Sequence, residues 1–284
     1  MVSVCMITYN HESFISEAIK SVLSQQVDFS LEVVISNDCS TDNTHRIIEE
    51  LIKSNTNLNI KFSYTNQKSN LGVMPNFIFA LKKCQGKYIA LCEGDDYWID
   101  PLKLKKQVTF LEQNNDVSIA FTKAKTLRCN DLIDFDKPKS VNKKFDFIEL
   151  LVHQNFIATA SVMLKREDVF DKLEQIKKSP FGDIALYKIA TLKKKLAYIS
   201  DVTTVYRVHD RGFWSGTTTI MKEKNYLKFY DALFPFFISE EKTEIKRLTK
   251  LKIYKLSRLN FPKNRIMQLI YKLYYRIMYL KLWL

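Results

Sequence analysis

The chain has 284 residues, 46% of them apolar and 26% charged, an ordinary balance for a globular protein, with a formal net charge of +13. That length supports a full core, as one large domain or two small lobes. No run of 18 or more uncharged apolar residues is present, which argues against a membrane-spanning helix. Five cysteines (5, 39, 84, 92 and 129) without a C-x-x-C pair exclude a disulfide or zinc framework.

The N-terminal Met1-Val2-Ser3-Val4-Cys5 enters a strand pattern with no basic leader, so the expectation is a cytoplasmic chain with reduced thiols. Charge is unevenly spread. Residues 240–284 hold twelve Lys/Arg against three Glu, which is +9 of the total. The basic character belongs to a tail, which argues against nucleic-acid binding by the body and leaves phosphorylated substrates or an anionic membrane as partners.

In chain order, the pattern predicts a strand over 2–8, a helix over 12–26, a strand over 31–36 and a helix over 42–53 with Thr41 or Asp42 as its N-cap. A strand over 60–65, a helix over 73–83, a strand over 87–92, a helix over 102–114 and a strand over 117–122 follow. Strands alternating with helices of this length imply βαβ units around a parallel sheet covered on both faces. Beyond residue 125 the pattern loosens into a strand over 158–164, a helix over 184–192 opened by Phe181-Gly182-Asp183, and two short strands within 196–208. From 219 onward the chain reads helical and basic. The expected organisation is a nucleotide-binding lobe over 1–125, an acceptor and catalytic lobe over 126–218, and a tail over 219–284.

Ligands of such sheets sit beyond the carboxyl ends of the strands. The strand-ending residues here are Thr8-Tyr9-Asn10, Asn37-Asp38, 66–70 and Glu93-Gly94-Asp95-Asp96. They are expected to converge on one crevice. Three carboxylates in four residues must face water, cations or a ligand, and Mg²⁺ reaches proteins through one or two carboxylates plus substrate phosphates. No glycine follows the first strand, which argues against a dinucleotide fingerprint or a P-loop.

Val4-Cys5-Met6-Ile7-Thr8-Tyr9-Asn10, Ser36-Asn37-Asp38-Cys39-Ser40-Thr41-Asp42, Asn70-Leu71-Gly72 and Glu93-Gly94-Asp95-Asp96-Tyr97-Trp98 occur in that order, each after an expected strand. Together they resemble the nucleotide-sugar half of a family 2 glycosyltransferase of the GT-A fold, bacterial polysaccharide type, over roughly residues 2–216. The resemblance implies an α/β, Rossmann-like mixed sheet with helices on both faces. It also implies donor binding by Thr8, Tyr9, Asn10, Asp38 and Asn70, with Asp38 accepting a uracil N3–H; Asp38 is alternatively a helix cap. Asp95 becomes the metal ligand for Mg²⁺ or Mn²⁺, with Asp96 supporting it. Glu93, where relatives commonly carry Asp, reaches the ribose or the metal through water.

Asp183 matches the position of the catalytic base, and it is also suited to cap the helix that follows. In Tyr206-Arg207-Val208-His209-Asp210-Arg211-Gly212-Phe213-Trp214-Ser215-Gly216, the resemblance assigns Arg207, Arg211 and Trp214 to the donor. His209 is a metal or phosphate ligand or a structural histidine. Thr159-Ala160-Ser161-Val162-Met163 is expected on the acceptor side. In the tail, Arg265, Gln268, Lys272 and Arg276 form one narrow polar stripe on an otherwise apolar, aromatic helix. Such a helix suits the inner face of an anionic membrane, or docks on the body or another subunit.

The implied reaction is inverting transfer of a sugar, most simply from a UDP-sugar, to a glycan or lipid-linked glycan of a cell-surface polysaccharide. The alternatives are a sugar-phosphate nucleotidyltransferase and a non-catalytic, membrane-docked adaptor.

Overall fold

The computed structural model describes residues 1–135, 144–153, 155–210, 212 and 216–282. Arg211 and Trp214, both expected at the donor, lie outside the described residues. The chain divides into two compact units, the first formed by 1–177 with 186–209 and the second by 178–185 with 210–284.

The first unit is built on one mixed sheet. Its opening half alternates β1 (Val2–Thr8), α1 (Ile15–Leu23), β2 (Leu31–Asn37), α2 (Thr44–Ser54), β3 (Ile60–Asn66), α3 (Val73–Lys83) and β4 (Tyr88–Leu91). Then come β5 (Tyr97–Trp98), α4 (Lys103–Gln113), β6 (Val117–Arg128), β7 (Asp131–Asp134), β8 (Lys144–Phe145), α5 (Phe147–Val152), β9 (Val162–Lys165), α6 (Gly182–Ala190) and β10 (Lys195–Val208). The division between units passes through α6.

The main path of the sheet runs β3-β2-β1-β4-β9-β6-β10-β5. The first four strands are parallel, and β9 is antiparallel to both β4 and β6. Residue 125, the expected lobe boundary, falls inside β6, and the sheet continues past it. β1, β2 and β4 are buried along nearly their whole length because helices cover both faces, which is why they read as unbroken apolar runs rather than alternating ones. Val4, Met6, Val33, Ile35 and Ala90 meet Ile15, Ala18, Ile19 and Leu104 in one core. Each large aliphatic side chain buried there contributes about 1.5–3 kcal/mol.

Two expectations change for physical reasons. The first helix begins at Ile15 and not at Glu12: Asn10 turns the chain at φ +55°, and a turn in which the Phe14 and Ile15 N–H groups share the His11 carbonyl precedes α1. The two short strands expected within 196–208 are one strand, β10. Its register against β6 shifts between Ile199 and Thr204, where the Ser200-Asp201 break in alternation forms a bulge, with Asp201 paired to Lys106.

The second unit carries α7 (Thr219–Leu233), α8 (Ser239–Asn260) and α9 (Arg265–Met278), with α7 packed on α8 and α8 on α9. Leu227, Phe229, Tyr230, Leu233, Ile245 and Leu256 are its buried core. Glu223, 4% exposed, is charge-compensated by Lys252 at 2.8 Å and Lys255 at 2.5 Å. The polar stripe of α9 is divided: Gln268 and Lys272 are half-buried, whereas Arg265 and Arg276 are exposed. Gln268 Nε2 donates to the Phe261 carbonyl at 2.6 Å, and Lys272 lies over the Tyr254 ring at 4.9 Å. Ile266, Leu269, Ile270, Leu273 and Ile277 are exposed by 54–73%. No helix among the described residues is long and apolar enough to cross a membrane.

Candidate functional site

The site is assembled at the carboxyl ends of β1, β2 and β4, joined by the end of β10. The loop after β1 is clamped to the loop after β2. Asn10, at φ +55°, receives the Thr41 N–H on its side-chain oxygen at 2.8 Å. Its own N–H donates to Ser40 Oγ at 2.9 Å, the His11 N–H to Thr44 Oγ1 at 2.9 Å, and the Glu12 N–H to Asp42 at 3.1 Å. Asp42 also accepts the N–H of Thr44, so it ties the two loops together and the helix starts at Thr44. Asp38 stands at the end of β2, 4% exposed, and accepts the N–H groups of Leu71 at 2.7 Å and Gly72 at 3.0 Å. Asn70 accepts the Gly72 N–H as well, at 3.0 Å. Gly72 sits at φ +86°, a conformation that favours glycine, and this lets the loop fold over the Asp38 carboxylate before α3 begins.

The acidic turn is stitched to β1 through the Gly94 N–H, which donates to the Ile7 carbonyl at 3.0 Å. A Cβ at Gly94 would stand 2.6 Å from Thr8 Oγ1, so only glycine permits this approach. Thr8 is 3% exposed and its hydroxyl has no partner among the described residues, whereas Tyr9 is 43% exposed and open to a ligand. Glu93 is half-buried at the start of the turn.

Asp95 is the centre of the site. His209 Nε2 lies 3.1 Å from its Oδ2, and His11 Nε2 lies 3.8 Å from the same oxygen. One ligand atom from each of the three lies within 4.8 Å of the others. Burial disfavours the Asp95 anion, but the His209 hydrogen bond and the potential of both imidazoles outweigh it and hold the carboxyl below its usual range. Burial lowers the His11 imidazole, with Asp95 opposing. Asp96, 2% exposed, is pushed well above the carboxylate range by burial and by the charges of Asp95 and Glu93.

These distances fit a divalent ion. Donor atoms about 2.0–2.3 Å from a metal stand roughly 3–4.5 Å apart around it. The sequence pointed to Asp95 and His209 but not to His11, although His11 directly follows the Thr8-Tyr9-Asn10 strand end and is one of only four histidines.

Other expected residues are placed differently. The Arg207 guanidinium, expected on a phosphate, donates to the Asp95 carbonyl at 2.9 Å and pairs with Glu17. It lies between the rings of Tyr97 at 4.4 Å and Phe14 at 5.2 Å. Ala160, Ser161, Val162 and Met163, expected on the acceptor side, are wholly buried and form core under β9, with the Ala160 carbonyl accepting Trp98 Nε1 at 2.8 Å. Asp183 belongs to the second unit, in the first turn of α6. Phe181, two residues earlier, packs on Tyr226, whose hydroxyl is raised to about 12 by burial and by the Asp183 charge.

A GT-A-type sheet ending in clamped loops and an Asp–His cluster defines the nucleotide-sugar transferase architecture. The model of glycosyl transferase family 2 matches residues 3–173, and the chain belongs to this family. An uncharacterized protein of Mycobacterium tuberculosis is 34% identical over 217 residues, covering 76% of this chain. The match spans about three fifths of the length of that relative, 61%. Among solved structures, Staphylococcus aureus TarS in complex with UDP-GlcNAc superimposes with a TM-score of 0.66 at 18% identity, covering 93% of this chain and 74% of TarS. The mannosyltransferase PcManGT of Pyrobaculum calidifontis, in complex with GDP-Man and Mn²⁺, gives 0.63 at 18% identity, covering 90% and 71%. Both share the GT-A fold.

Proposed function

We propose that the chain is an inverting glycosyltransferase that moves a sugar from a nucleoside diphosphate donor, UDP-linked, to a hydroxyl of a glycan or lipid-linked glycan in cell-surface polysaccharide synthesis. The observation that carries this reading is the junction of Asp95, His209 and His11 beside the clamped ends of β1 and β2. That TarS binds UDP-GlcNAc on the same fold supports a UDP donor.

In this reading Asp38 offers a remaining lone pair to the uracil N3–H, while Tyr9 and the Asn70 loop cover base and ribose. Thr8, Asn10, Glu93 and Asp96 shape the floor of the site. Arg211 and Trp214 belong to the segment that follows His209 and are assigned to the donor by position. Arg207 acts by holding the acidic turn. Asp95 and His209, with His11 beside them, hold Mg²⁺ or Mn²⁺, and the bound ion supplies charge stabilisation for the departing diphosphate. Asp183 takes the acceptor hydroxyl proton as that oxygen bonds to the anomeric carbon. The bond from the anomeric carbon to the phosphate oxygen breaks on the opposite side, its electron pair leaves with UDP, and the configuration inverts.

The outward apolar face of α9 supports a peripheral contact with the inner face of an anionic membrane, where a lipid-linked acceptor resides. The test of the whole reading is calorimetric titration of UDP with and without Mn²⁺ on wild type and Asp95→Asn. Metal-dependent binding that is lost in the variant supports it. Absence of UDP binding by folded protein overturns it.

A further inference from the structure

We propose that His11 is a third ligand of the metal site and that its imidazole makes the site select a transition cation, from Mn²⁺ to Zn²⁺, over Mg²⁺. The inference deepens the donor-site reading above and rests on it.

His11 Nδ1 is one of several buried side-chain polar atoms without a hydrogen-bond partner among the described residues, and it belongs to an imidazole beside Asp95. The His11 backbone N–H is clamped by Thr44, so the side chain is presented from a fixed loop. The side chain is 15% exposed, yet neither ring nitrogen makes a hydrogen bond to any described residue. Nδ1 is buried without a partner, and Nε2 stands 3.8 Å from Asp95 Oδ2, beyond hydrogen-bonding distance. Nε2 faces Asp95 with no competing hydrogen-bond partner among the described residues, so its lone pair is available to an ion held at that carboxylate. The Phe14 ring, 4.7 Å from that of His209 and 6.3 Å from that of His11, walls both imidazoles and limits their escape into water.

Ligand chemistry supplies the selectivity. Mg²⁺ is a hard cation that takes oxygen donors and gives up its water reluctantly. Two imidazoles and one carboxylate match metals further along the Irving–Williams series, for which nitrogen donors are strong ligands. With His209 alone, the site is a carboxylate with a single imidazole. With His11, nitrogen donors outnumber the protein oxygen, and Mg²⁺ loses ground.

The full chain with UDP is titrated with Mn²⁺ by electron paramagnetic resonance while Mg²⁺ competes. The wild type is expected to hold Mn²⁺ about tenfold or more tightly than Mg²⁺, and His11→Ala to lose about tenfold in Mn²⁺ affinity with Mg²⁺ affinity unchanged. His11→Asp, which restores an oxygen donor, is expected to move the preference toward Mg²⁺. Pulsed spectra of the wild type should show nitrogen couplings from two imidazoles, a readout that stands even where a variant fails to fold. Equal competition by Mg²⁺, unchanged Mn²⁺ affinity in folded His11→Ala, or couplings from one imidazole overturns the inference. UDP binding retained with Mg²⁺ in any of those cases leaves the glycosyltransferase reading standing, whereas loss of all UDP and metal binding by the wild type sinks both.

Discussion

The Asp96 carboxylate accepts the Arg207 N–H at 2.8 Å, while the Arg207 guanidinium donates to the Asp95 carbonyl at 2.9 Å. These reciprocal bonds close a separation of 111 residues and lock the end of β10 onto the acidic turn. His209, two residues further along, is carried to Asp95 by that lock.

Asp96→Ala strands the Arg207 N–H and is expected to cost about 1–3 kcal/mol of stability. It should weaken metal-dependent UDP binding as well, because His209 loses its placement. Asp96→Asn keeps an acceptor oxygen and is expected to lose much less of both. Denaturant unfolding and calorimetry of the two variants check this, and equal losses would contradict it.

Lys103 predicts a pH-dependent stability. It is fully buried, bonded to Gln107 Oε1 at 2.7 Å and seated 4.3 Å over the Trp98 ring. Burial lowers its ammonium from 10.5 to about 7 in the folded chain. Below that pH both states hold the proton and the folded state bears the whole cost of burying it. As pH rises from about 7 to 10.5 the unfolded chain binds more protons than the folded one, so stability climbs. Lys103→Met is therefore expected to raise the melting temperature most near pH 6 and progressively less toward pH 10. A difference that stays constant across that range would refute the assignment.

Asp183→Asn is expected to lower turnover on the order of 10²–10⁴-fold while leaving UDP affinity unchanged. Single-turnover assays with an acceptor read the first quantity and calorimetry the second. Turnover at the wild-type rate would remove Asp183 from the role of base.

Leu269 and Leu273, exposed by 69% and 59%, test the outward face of α9. The double variant Leu269→Glu, Leu273→Glu is expected to abolish sedimentation with vesicles rich in anionic phospholipid and to leave UDP binding intact. Each basic residue near such a surface adds about 1 kcal/mol, so wild-type sedimentation should also fall with salt. A variant that changes oligomeric state and keeps vesicle binding would assign the face to a subunit contact.

Much of the first unit was legible in the sequence because parallel strands buried on both faces leave unbroken apolar runs, and the polar residues that end them mark one side of the sheet. Asp95 and His209 were legible as candidate metal ligands by residue type and resemblance, and the structure brings them together. His11 was not, since its neighbours Asn10 and Glu12 look like the start of a helix. The side-chain oxygens of Ser40, Asp42 and Thr44, from the loop after β2, fix the backbone there instead. Arg207 looked like a phosphate ligand because charge is visible in sequence and an intramolecular partner such as Glu17 is not.

By itself, the sequence determined the strand and helix alternation, the family and the acidic turn, because periodicity, glycine placement and local motif are properties of neighbouring residues. The tertiary structure decided which side chains meet. It tucked Gln268 and Lys272 of the α9 stripe against Phe261 and Tyr254, made one bulged strand of 195–208, and brought His11 and His209, far apart in the chain, to the same carboxylate oxygen. Those outcomes depend on long-range pairing and desolvation, which act between segments that no local pattern relates.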